Sequence, residues 1–163
     1  MEPPKPKPAS AVLTWTDAFE LGYGPIDDTH REFVEVVAAL QRAEDAELLD
    51  RLDDFARHAK AHFDAEDHWM NETGFPPRDC HIGEHAAVLE SLSQVRERVA
   101  AGDFAVGRSF TEALVDWFPG HADYLDSALA AWLFKREHGG RPIVLRRDIG
   151  SRSVPPRSTG DPG

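Results

Sequence analysis

Four stretches of this chain repeat apolar residues every three or four positions, and each apolar stripe is interrupted in its own register by histidine or carboxylate. The interruptions are His30, the pair His62 and Glu66, the pair His81 and His85, and His121 followed five residues later by Asp126. Repeats of this period are amphipathic helices whose stripe faces the core. Residues four apart stand on one helix face, with side chains roughly 5–6 Å apart. The chain therefore has to place five imidazoles and two carboxylates inside a helical core. A carboxylate seldom goes inside unless it is paired or coordinates a metal. One core histidine would be ordinary hydrogen-bonded packing. Five on four helices, with Glu66 one turn from His62, point to a metal site. Imidazole and carboxylate are ligands that suit iron and its neighbours, and bundles build such sites from facing helices.

The first helix is expected to start at Asp27 or Asp28, good caps preceded by Pro25, and to end near Arg42. The second runs from about Asp45 to about Glu72 and stops at Thr73-Gly74. The third follows Pro76-Pro77 and reaches Ala101-Gly102, with Val88, Leu92, Val95 and Val99 extending its stripe. The fourth spans Val106 to Glu137, with Leu125, Leu129 and Trp132 on the stripe beyond His121. Short loops make neighbouring helices antiparallel. The expected fold is all-α, an antiparallel up-down-up-down four-helix bundle over residues 11–138. Residues 11–25, with Leu13, Trp15, Phe19 and Tyr23, form an N-terminal arm across it.

Asp126 fits the periodicity poorly. Five steps turn about 140° around a regular helix, so His121 and Asp126 are expected to flank the seam rather than stack on it. Periodicity alone does not choose Asp126 over Asp123. Pro119 lacks an N–H and is expected to kink the helix just before His121. His58, one turn before His62, reads as a half-exposed surface residue, with outer partner or extra ligand as alternatives. His68 points off the stripe. His138 sits at a helix end, where a cation suits the dipole. Cys80 faces away from His81, since adjacent residues do not share a helix face, and reads as a small apolar filler.

A chain of 163 residues, 41% hydrophobic and 29% charged, is one soluble globular domain. Residues 1–10, rich in Pro and Lys, and the basic tail 139–163, rich in Gly and Pro, are expected to be disordered. Ile143, Val144 and Leu145 are the exception, a short extended piece expected to dock on the body. The apolar runs are far too short for a membrane span. The start of the chain has no apolar core of a secretory signal, and the single Cys80 excludes an internal disulfide. A cytoplasmic location is expected. The net charge is −11. Residues 11–138 hold 11 basic and 26 acidic side chains, about −15 net. Such an acidic body argues against nucleic acid, whose phosphates need a basic face.

Together these residues resemble a family signature. Trp15, Ile26-Asp27-x-x-His30, His62-Phe63-x-x-Glu66 with Met70, Phe75-Pro76, His81-x-x-x-His85 and Trp117-x-x-x-His121-x-x-x-x-Asp126 are similar to the hemerythrins, specifically the single-domain bacterial type, bacteriohemerythrin. The resemblance covers roughly residues 12–135, and all seven ligand positions of that family are filled at its spacings, the five-residue step included. It implies a non-haem centre of two iron ions that pass between Fe2+ and Fe3+, joined by an oxo or hydroxo bridge. It implies His81, His85 and His121 on one iron, His30 and His62 on the other, and Glu66 and Asp126 as bridges. It implies that dioxygen is the ligand, taken at the open position of the second iron. An apolar oxygen pocket follows, for which Phe33, Phe63, Trp117 and Phe118 are the candidates from their spacing to the ligands. Tyr124 is the one nearby acid or base. Pro119-Gly120 before His121, and Ala122 after it, depart from the bulkier residues common there and bear on pocket size.

The reading that follows is reversible oxygen binding for carriage, storage or supply, by a protein that is not an enzyme. Three alternatives stand beside it. They are an oxygen or redox sensor acting on a partner in trans, a di-iron peroxidase or nitric-oxide-handling enzyme, and an iron store.

Overall fold

The computed structural model describes residues 10–139. Helix α1 spans Gly24–Arg42, α2 Asp45–Thr73, α3 Arg78–Ala100 and α4 Phe104–His121. The last continues through one π turn, Ala122–Asp126, into α5, Ser127–Glu137. The backbone stays right-handed helical across both junctions, so α4, the π turn and α5 make one fourth rod. Each helix packs on the next, and α4 returns to α1. Connections of two to four residues keep neighbours antiparallel. The fold is the expected all-α four-helix bundle. The expectations for residues 1–9 and 140–163, including docking of 143–145, lie outside the described residues. No helix among the described residues is long and apolar enough to cross a membrane.

Local chemistry sets the helix ends. α1 starts at Gly24, earlier than expected, because Pro25 in its first turn costs no intrahelical bond. Asp27 is therefore not the cap. Its buried carboxylate accepts the N–H groups of Leu21 at 2.7 Å and Gly22 at 3.0 Å, and ties the arm to the helix. α2 opens on a capping box between Glu44 and Glu47. It closes at Gly74, whose φ of +64° is left-handed, with Phe75 N–H on Met70 O at 3.0 Å. Asp103 caps α4 by accepting the Val106 N–H. Gly107 lets α4 approach its neighbours, since a Cβ there would lie 2.8 Å from Leu48 and 2.9 Å from Val99.

The core has two apolar layers. One gathers Phe33, Leu40, Leu52, Phe55, Phe63, Leu114 and Phe118. The other gathers Tyr23, Ile26, Met70, Phe75, Leu129 and Leu133. On every rod the polar residues of the stripe fall between these two layers. The arm runs back along α1. Leu13 N–H donates to Gln41 Oε1 at 2.7 Å, the Arg31 guanidinium covers the Trp15 ring, and Phe19 meets Phe118 at 5.1 Å.

Candidate metal centre

His30, His62, Glu66, His81, His85, His121 and Asp126 are all buried, and they converge in the layer between the two apolar clusters. His30 comes from α1, His62 and Glu66 from α2, and His81 and His85 from α3. His121 and Asp126 come from the fourth rod. Both carboxylates divide their oxygens between two sets of histidines. Glu66 Oε1 lies 2.8 Å from His62 and 4.0 Å from His30, while its Oε2 lies 3.2 Å from His85 and 3.5 Å from His81. Asp126 Oδ2 lies 2.8 Å from His30, while its Oδ1 lies 2.9 Å from His81 and 3.3 Å from His121. The groups Glu66, His81, His85, His121, Asp126 and His30, His62, Glu66 each bring ligand atoms within 4.8 Å of one another. The cluster is able to hold a metal.

His62 Nε2 lies within hydrogen-bond reach of Glu66 Oε1 at 2.8 Å, but most of the short distances here are not hydrogen bonds. Both ring nitrogens of His30 and of His81, both oxygens of Asp126, and Glu66 Oε2 have no aligned hydrogen bond although fully buried. His30 Nε2 and Asp126 Oδ2 are an instance at 2.8 Å. Buried polar atoms are ordinarily paired, and an unpaired one is costly. Lone pairs that crowd together without facing one another are aimed at a common point, as a metal requires. Charge agrees with geometry. Burial and Asp126 push the Glu66 carboxyl up, but the imidazoles of His62, His81 and His85 outweigh both and hold it far below the carboxylate range. Burial likewise opposes ionisation of Asp126, and His121, His30 and His81 reverse it. Burial lowers His81, and the carboxylates of Asp126 and Glu66 raise it to about 9.

The π turn corrects the expectation for Asp126. A π turn holds one residue more than an α turn, and Ser127 N–H closes it on Ala122 O, five residues back. Asp126 is thereby brought to His121, inside the seam rather than beside it, and Asp123 is exposed. Beyond it, Leu129 is buried as expected, but its neighbours on the expected stripe are displaced. Leu125 and Trp132 are only half-buried, and Leu133 is buried. Pro119 lies within α4, and the departure from α geometry follows it at Ala122.

The four aromatic candidates all touch the cluster. Phe33 stacks on Phe118 at 4.4 Å, and Phe118 meets the His30 ring edge-on at 5.2 Å. Phe63 stacks on His85, and Trp117 on His121, each at 4.1 Å. Tyr124 is 81% exposed and takes no part, because the π turn carries it to the outside.

The imidazoles have partners outside the seven that no single-helix spacing reveals. Asp67 Oδ1 accepts from His85 Nδ1 at 2.7 Å, across from α2 to α3. Glu84 Oε2 lies 3.5 Å from His121 Nδ1, and its Oε1 accepts from Trp117 Nε1–H. The Asp67 bond fixes the His85 tautomer and leaves its Nε2 bare for a metal, whereas His121 Nδ1 has Glu84 nearby but no aligned hydrogen bond. His58 is not a surface residue. Its side chain is 8% exposed, and Nε2 lies 3.3 Å from His62 Nδ1. Burial, with His62 and His30 nearby, lowers its pKa to about 4. Cys80 is exposed rather than a filler. His68 pairs with Glu72 at the surface, and His138 bonds Phe134 O at the end of α5.

The hemerythrin HHE cation binding domain matches residues 21–133, which contain all seven clustered residues. This chain belongs to the hemerythrin family. It is 38% identical over 125 residues to a bacteriohemerythrin of Ralstonia nicotianae, covering 77% of this chain and 91% of that protein. A bacteriohemerythrin of Stenotrophomonas maltophilia is 28% identical over 136 residues, covering 79% and 76%. The crystal structure of a wild-type hemerythrin superposes with a TM-score of 0.67 at 25% identity, over 74% of this chain and 97% of that one. Membership of this family implies non-haem iron as the metal.

Proposed function

We propose that this hemerythrin-family chain binds dioxygen reversibly at a centre of two iron ions. The reading assigns His81, His85 and His121 to one ion and His30 and His62 to the other. Glu66 and Asp126 would hold both ions, one carboxylate oxygen to each, with an oxo or hydroxo group completing the centre. One observation carries it: each carboxylate offers one oxygen to the three-histidine set and one to the two-histidine set. A single ion on either side would use only one oxygen of each carboxylate and leave the other facing the opposite set of histidines unused.

When bound, the iron pair supplies the electrons that dioxygen takes on capture and returns on release. The residues of the chain do the rest. Three imidazoles stand on one side and two on the other, so the two-histidine side is one protein donor short. Phe118 and Phe33 lie against His30 and His62 there. With Phe63 and Trp117 they keep water from the site, and dry walls oppose escape of an anionic ligand because its charge has nowhere to be solvated. Asp67 holds His85 in the tautomer with Nε2 bare, and Glu84 places a carboxylate 3.5 Å from His121 Nδ1. A donor set richer in histidine than in carboxylate favours high oxidation states less, which suits reversible binding over substrate oxidation. The protein is therefore read as a binder, not an enzyme. The exposed thiol of Cys80 suits a reducing cytoplasm.

Iron per chain, measured together with deoxy and oxygenated spectra, tests this. The expected result is two iron ions and a colour that forms in air and reverts under vacuum. Irreversible oxidation on a single exposure overturns the carrier role.

A further inference from the structure

His62 is held from behind by a histidine outside the seven. Its Nδ1 stands 3.3 Å from Nε2 of His58, one turn earlier on α2. Nδ1 of His58 stands 3.5 Å from Oε2 of Glu32 on α1. The ends of this row set the direction of every proton in it. An ionised carboxylate only accepts, so a neutral His58 donates from Nδ1 and accepts at Nε2. With a metal on its Nε2, His62 then donates from Nδ1; without one, Glu66 Oε1 at 2.8 Å competes for a proton on that Nε2. On the three-histidine side, His85 has an acidic hydrogen-bond partner in Asp67, and His121 Nδ1 has the Glu84 carboxylate 3.5 Å away. His30, like His81 and His121, has no aligned hydrogen bond at Nδ1 among the described residues, so within the two-histidine half His62 is the ligand with an outer partner. Support for the two-histidine half therefore reaches it through His58.

We propose that Glu32 and His58 act as positioning residues, locking His62 in its ligating tautomer and strengthening the two-histidine half of the site selectively. The inference rests on the two-metal reading above. Glu32 is the solvent end of the row, with 71% of its side chain exposed against 8% for His58. The row thus joins a buried ligand to the surface through one side chain, and α1 contributes to the affinity of α2.

Anaerobic titration calorimetry of the full metal-free chain with Fe2+ tests it, on wild type, His58→Leu, His58→Gln and Glu32→Ala. Wild type is expected to take up two ions. His58→Leu leaves the His62 N–H unpaired, and is expected to weaken one equivalent by about 10–100-fold while the other stays within about 2-fold. His58→Gln offers a side-chain oxygen to the same N–H and is expected to restore most of that loss. Glu32→Ala lies on the surface, folds regardless of how His58→Leu behaves, and is expected to weaken the same equivalent by about 3-fold. Equal weakening of both equivalents, or a Gln variant no better than Leu, overturns the inference with the two-metal reading intact. A wild-type chain that saturates at one ion overturns that reading, and the inference with it.

Discussion

Helices α2 and α3 present their polar groups on a regular period, His62 with Glu66 and His81 with His85, four residues apart. The fourth rod presents His121 and Asp126 five residues apart and reaches the same layer. Sequence spacing encodes a helix face only while the helix period is constant. Four residues suffice on α2 and α3 because nothing disturbs the 3.6-residue turn. On the fourth rod an extra residue is present, and the helix absorbs it in one wide turn. The tolerance for extra residues should therefore differ sharply between the two regions.

Paired deletions test that difference most severely. Removal of Ala65 rotates Glu66 about 100° from its present direction, from one side of His62 to the other, and moves every later α2 contact with it. The expected outcome is no bound iron and a stability loss of order 5 kcal/mol, comparable to that of a whole small domain. Removal of Tyr124, which is exposed, leaves His121 and the acidic residue at four-residue spacing on an ordinary α-helix. Both still face inward, so iron is retained and stability changes by about 1 kcal/mol or less. Iron assay and thermal melts read both. Equal damage from the two deletions would break the comparison.

Next in size are the two carboxylates. Glu66→Ala and Asp126→Ala each leave the buried imidazoles with one counter-charge instead of two, an expected loss of about 3 kcal/mol in the metal-free chain, and each is expected to abolish two-ion loading. Similar losses from both would mean that the wide turn delivers Asp126 as effectively as the regular helix delivers Glu66. Urea unfolding of metal-free variants is the measurement.

Protons sharpen the same point. His81 is held near 9 in the metal-free chain by Asp126 and Glu66, against the opposing effect of burial. A base with a raised pKa contributes stability that is complete below 6.5 and is lost as pH rises through about 9. The metal-free chain should therefore weaken across that window. Iron needs the bare imidazole, so loading at pH 7 should release protons. Calorimetry in buffers of different ionisation enthalpy detects the release. Asp126→Ala should reduce it, since one of the two charges that hold the proton is gone.

The regular region was readable and the irregular one was not. His30, His62, Glu66, His81 and His85 follow from apolar periodicity alone, because a buried polar residue on a stripe is visible wherever the stripe is. Asp126 was supplied by family resemblance, and periodicity left Asp123 open. The cause is physical. A π turn has no propensity signature in Ala122-Asp123-Tyr124-Leu125-Asp126, and the closure on Ala122 O depends on what the rod packs against. The same limit applies to Asp67 and Glu84, which meet their imidazoles across or beside helices. From α2 alone His58 reads as surface, and the alternative of an outer partner to His62 is decided by Glu32 and Phe33, which α1 supplies over it.

The smallest expected effect concerns what holds the register beyond the wide turn. Two hydrogen bonds tie α5 to the rest: Tyr23 O–H donates to Glu137 Oε1 at 2.7 Å, and Trp132 Nε1–H donates to Thr73 Oγ1 at 2.9 Å. Burial, and then the bond to Glu137 and its charge, push the Tyr23 phenol up from 10.0 to about 12. The protonated phenol is the stabilised form, so its contribution is complete below pH 10 and disappears as pH rises through about 12. Tyr23→Phe removes the bond, with an expected loss of about 1 kcal/mol at neutral pH. It should also remove the part of the alkaline destabilisation that wild type shows between those two values. If α5 takes its register from the π turn alone, iron loading of Tyr23→Phe is unchanged. If Glu137 helps to set that register, the His121–Asp126 pair loosens, and iron affinity falls along with stability.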